Sequence, residues 1–151
     1  MKTLITAILV ASLPLTSQAS DDTQPNPMID AFAKQHSELM PKVAVADMYY
    51  GCLLEKGEQM PSFTKLIKET DKETLANDLT ACLGDNSLAS DAALNYGIAA
   101  CFYDQMAQLD EAQRQQNMQQ VKAALADLPR QERQKSFTQC VNNQTLKYLS
   151  N

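Results

Sequence analysis

Four cysteines, Cys52, Cys82, Cys101 and Cys140, constrain the fold of this chain more than any other feature of its sequence. No two lie close enough to form a zinc pair, the only histidine is distant, and no Cys-x-x-Cys occurs, so a metal site or a thiol oxidoreductase has no motif. An even number of cysteines in an exported domain reads as two disulfides.

Export is indicated by the first nineteen residues. Lys2 supplies a positive start, Leu4 to Leu15 form an apolar run broken by Pro14, and Ser17-Gln18-Ala19 fits a small-x-small cleavage site. The run is well short of the roughly 20 residues needed to span a bilayer. Residues 1–19 are therefore expected to be a signal peptide, 20–26 a loose polar segment, and 27–151 a single helical domain. No cysteine near the cleavage point offers a lipid attachment atom, and no later apolar stretch is long enough to insert in a membrane. The bacterial periplasm is the expected compartment, with secretion beyond it as the alternative.

The hydrophobic spacing is helical throughout, with no strand-like alternation. Asn26-Pro27 suits a helix start, with Ile29, Phe32, His36 and Leu39 as an inner face up to a break at Pro41. A second helix is read from Val45, Met48, Tyr49 and Cys52, and a short segment from Phe63, Leu66 and Ile67. A capping box over Thr70 to Glu73 opens the next helix, which Gly84 ends. Ser90 caps a mostly apolar, central helix running to about Leu109, and Asp110 starts another with Met118, Val121, Leu125 and Leu128 inside. Phe137, Cys140, Val141 and Tyr148 mark the last. The expectation is an all-α, compact bundle of about five to seven helices.

The two half-chains resemble each other. Leu79-Thr80-Ala81-Cys82-Leu83 parallels Phe137-Thr138-Gln139-Cys140-Val141, and Cys52-Leu53-Leu54-Glu55 parallels Cys101-Phe102-Tyr103-Asp104. Four cysteines permit three connectivities. Two similar disulfide-linked halves select Cys52–Cys82 and Cys101–Cys140.

Catalytic motifs are sparse. No nucleophile elbow, His-Glu-x-x-His or glycine-rich phosphate loop occurs, and His36 falls on an apolar stripe, where a structural role is expected. Carboxylates are numerous enough for a paired-acid hydrolase, with Asp47 and Glu55, or Asp104 and Asp110, as the pairs that could meet across helices. His36 and Met40 share a spacing that suits copper, but the remaining methionines are dispersed along apolar stripes and read as core. No enzymatic activity, metal or cofactor is expected.

Removing Lys2 with the leader leaves 12 basic residues against 18 acidic, a net charge of −6. That charge disfavours nucleic acid and anionic membrane surfaces and favours a basic partner. The sequence therefore predicts a non-enzymatic, exported protein-binding module, an inhibitor or immunity-type protein that binds a toxin or hydrolase. The alternative is a periplasmic carrier or chaperone for a small ligand, metal or unfolded client. Glu55, Glu58, Tyr50, Asp85 and Asn86, in or beside the exposed connections, are the candidate partner contacts. The sequence sets no oligomeric state.

Overall fold

A computed structural model describes residues 26–150; the expected signal peptide, residues 1–19, and most of the polar segment after it lie outside the described residues. The fold is an all-α bundle of α1 (Pro27–Lys56), a π-helical turn (Lys65–Glu69), α2 (Lys72–Leu83), α3 (Asp91–Gln105), α4 (Glu111–Asp127) and α5 (Arg130–Leu149). Among the described residues there is no strand, and no helix is long and apolar enough to cross a membrane.

Local chemistry sets most of the boundaries. Asn26 caps α1 by accepting from Met28 N at 3.1 Å, Ser90 caps α3 through Ala93 N at 3.1 Å, and Asp110 caps α4 through Gln113 N at 2.8 Å. Asp71, one residue later than expected, caps α2 by accepting from Thr74 N at 2.9 Å. Thr70 instead closes the preceding π-helical turn. Gly57 and Gly84 end α1 and α2 at positive φ. α3 stops at Gln105, four residues before Leu109, and the chain turns from there to Asp110.

The expected break at Pro41 is absent, and α1 runs unbroken through it for 30 residues. Proline removes the donor that would meet the Ser37 carbonyl. Both residues are exposed, so that carbonyl need not be buried unpaired, and the helix survives. The inner face expected before Pro41 is a second correction. Ile29 and Phe32 are 63% and 48% exposed, because the rest of the bundle packs against α1 only from about Leu39 onward.

α3 is the central helix, packing against α1, α4 and α5. Two glycines permit the closest approaches. A Cβ on Gly51 would lie 2.0 Å from the Tyr96 carbonyl oxygen, and one on Gly97 would lie 2.5 Å from the Phe137 ring. α3 and α5 run side by side in the same direction. Arg130 and Arg133 grip Asp91 at one end, Cys101 bonds Cys140 in the middle, and Lys147 pairs with Asp104 at 2.9 Å beyond it.

The disulfides are Cys52–Cys82 and Cys101–Cys140, the pairing selected by comparing the half-chains. In each half a first helix is bonded to a third, α1 to α2 and α3 to α5. The intervening element is a five-residue turn in one half and the 17-residue α4 in the other.

Candidate functional site

Buried polar groups concentrate where α1, α3 and α5 meet. Asp47 and Thr145 are completely buried, and Gln144 and Asp104 are nearly so. The Gln144 amide donates to Asp104 Oδ2 at 3.2 Å, and Lys147 Nζ donates to the same oxygen at 2.9 Å. The Gln144 carbonyl oxygen lies 3.4 Å from Cys101 Sγ, a contact rather than a hydrogen bond because a disulfide sulfur carries no proton. Neither oxygen of Asp47 has a partner in bonding geometry. Burial therefore pushes the Asp47 carboxyl well above the usual carboxylate range; the nearby Gln144 amide opposes this and Asp104 adds to it.

The acids thus pair differently from either expected combination. Asp47 neighbours Asp104, whereas Glu55 is exposed and bonds Lys122 Nζ at 2.7 Å, and Asp110 is spent capping α4. Helical spacing alone cannot show that two acids from different helices meet. Asp47 presents no surface to solvent, so in this arrangement only Asp104 lines a cleft.

That cleft, of about 250 Å³, has Tyr50, Phe63, Tyr103 and Tyr148 as walls, with Asp104 and Arg114 contributing charge. Tyr50 and Phe63 stack with ring centres 4.0 Å apart, and the Arg114 guanidinium lies 4.6 Å from the centre of the Tyr103 ring. Burial, with Tyr103 beside it, pushes the Tyr50 hydroxyl up to about 12. The Tyr148 hydroxyl is also raised, first by burial and then by Asp104.

Tyr50 is a correction as a partner contact: it is 7% exposed and belongs to the core. The buried residues of α1 are Val43, Ala46, Asp47, Tyr50, Gly51, Cys52 and Leu53; Cys52 lies inside as expected, but the stripe through Val43 and Tyr50 is hidden in the sequence by the acid within it. The neighbouring Tyr49 is half-buried instead. It packs beside Leu79 and Leu83 of α2, and its hydroxyl is raised by burial and by the Asp78 and Glu58 carboxylates. Glu58, Asp85 and Asn86 are exposed as expected. Asn86 turns its side-chain amide back to Leu83 O at 3.3 Å, which fixes the start of the α2–α3 connection. Glu55 instead borders a separate cleft of about 300 Å³ between α1, α3 and α4.

From Asp71 to Ser90, covering α2 and the connection after it, the acids Asp71, Glu73, Asp78 and Asp85 outnumber the single base Lys72. The Cys52–Cys82 bond ties this element to α1, from which Tyr49 projects beside Asp78. Among the described residues no group of three or more His, Cys, Asp or Glu side chains is placed to hold a metal ion. His36 is half-buried with Nε2 enclosed and unpartnered. Comparison with protein-family models, with curated proteins and with solved structures finds no match to this chain.

Proposed function

We propose that this chain is an exported, non-enzymatic protein-binding module, of the inhibitor or immunity type, that recognises a basic protein in the periplasm. One observation carries the reading: the half-buried Tyr49 of α1 stands beside Asp78 of α2, which a disulfide holds to α1, and beside Glu58 in the connection that follows α1. A ring fixed from below offers contact area at little entropic cost, and the carboxylates around it suit lysine or arginine side chains. The two disulfides fit an oxidising compartment, and the leader supports export to it.

Capture from periplasmic extract on the immobilised mature chain tests this reading. The wild type should retain a basic protein that Glu58→Lys/Asp78→Lys does not, the two baits having equal melting temperatures. Equal retention by both baits would remove the acidic face from the account.

A second reading, a carrier of a small ligand, is favoured by the ring-lined cleft at Tyr50, Tyr103 and Tyr148. It predicts a small molecule that co-purifies with the mature chain and is lost on Tyr103→Ala.

A further inference from the structure

α1 continues beyond the fold that buries it. Ile29, Phe32, His36, Leu39, Val43, Ala46, Tyr50 and Leu53 follow one another at alternating intervals of three and four residues, a single seam along one helix. Its second half, from Val43 to Leu53, is buried in the bundle. Its first half continues in register, half-buried at His36 and Leu39 and open toward its N-terminus. Ile29 and Phe32 stay largely exposed, and Met28 beside them is 78% exposed.

We propose that this first half pairs antiparallel with the same segment of a second copy, making a symmetric dimer. The seam is self-complementary in that arrangement. Ile29 meets Leu39 of the second copy and Phe32 meets His36 of the second copy, with the symmetry axis passing near Lys34. A parallel pairing would bring both bundles to the same end, where each already covers its own seam. The antiparallel pairing sends them to opposite ends.

Charge favours a second copy over a basic partner at this face. Asp30 and Glu38 are balanced by Lys34 and Lys42, with Lys34 and Glu38 3.9 Å apart. This stretch is neutral within an acidic chain, so like chains can approach here without the repulsion expected elsewhere. The exposed half of α1 is about 20 Å long. A seam that short falls below the roughly 800 Å² per partner of a standard interface, so a dissociation constant in the micromolar range is expected.

Sedimentation of the mature chain across a concentration series tests the pairing. A monomer–dimer equilibrium is expected, and Ile29→Lys/Phe32→Lys should give a monomer with unchanged melting, since both side chains are exposed in the bundle. A nitroxide label at Gln35, beside the axis, reports the register. A dimer should show a short distance between labels, set by a helix spacing of about 8–10 Å and the label arms. A monomer at every concentration, a dimer indifferent to the double substitution, or a long distance between labels would each overturn the proposal.

Discussion

Gln144 donates its side-chain amide to Asp104 Oδ2 at 3.2 Å inside the bundle, near a second acid, Asp47, whose oxygens meet no donor in bonding geometry. The contact joins α5 to α3, and Asp47 adds α1 to the same polar centre. One centre thus holds three of the five α-helices, and its least satisfied member should govern how stability responds to pH.

Asp47 has a folded-state pKa raised well above that of the unfolded chain. Between those two values the folded state binds more protons, so this group makes stability fall as pH rises from about 4 through the raised value. Asp47→Asn removes the titration. Urea denaturation should find the variant more stable than wild type at pH 7. The difference should shrink toward pH 4. A variant less stable than wild type at pH 7 would mean that the Asp47 carboxylate is stabilising.

The disulfides close loops of 30 and 39 residues, each worth roughly 3–4 kcal/mol in the chain-entropy model. Replacing both cysteines of either pair by serine should lower stability by about that amount. Peptide mapping without reduction should find only the Cys52–Cys82 and Cys101–Cys140 peptides; a Cys52–Cys101 or Cys52–Cys140 peptide would contradict the fold.

Gly51 and Gly97 should respond unequally to alanine. Each substitution gains about 1 kcal/mol of helix propensity. At Gly51 the added methyl meets the Tyr96 backbone, which can yield only if α1 and α3 separate. At Gly97 it meets the far end of the Phe137 ring, which can turn aside. Overpacking costs about 1–3 kcal/mol, and Gly51→Ala should show the larger loss in denaturant midpoint.

The all-α class, most caps and the inner residues of α5 were legible because each rests on short-range spacing or on a single capping side chain. The capping oxygens of Ser90 and Asp110 each meet a backbone amide three residues on, as the sequence pattern implies. α1 was misread twice. Pro41 looks like a stop, yet its cost is small where the freed carbonyl faces solvent. Asp47 looks like a surface residue, yet it lies on the buried face, and placing an acid outside rotates the inferred face from Tyr50 to Tyr49. The surroundings of Tyr49 are half legible: Glu58 and Asp85 are exposed, as their place in connections implies. The pairing of Tyr49 with Asp78 depends on α2 folding back beside α1, and no local spacing encodes that contact.

The rate at which the captured partner associates with the mature chain, followed from low to high salt, tests the binding account most directly. The screening length falls from about 30 Å at 0.01 M to about 3 Å at 1 M. An acidic face steering a basic partner predicts an association rate that drops steeply over that range, with dissociation changing far less. It also predicts a shallower slope for Glu58→Lys/Asp78→Lys. An association rate indifferent to salt, or a partner as acidic as this chain, would contradict it.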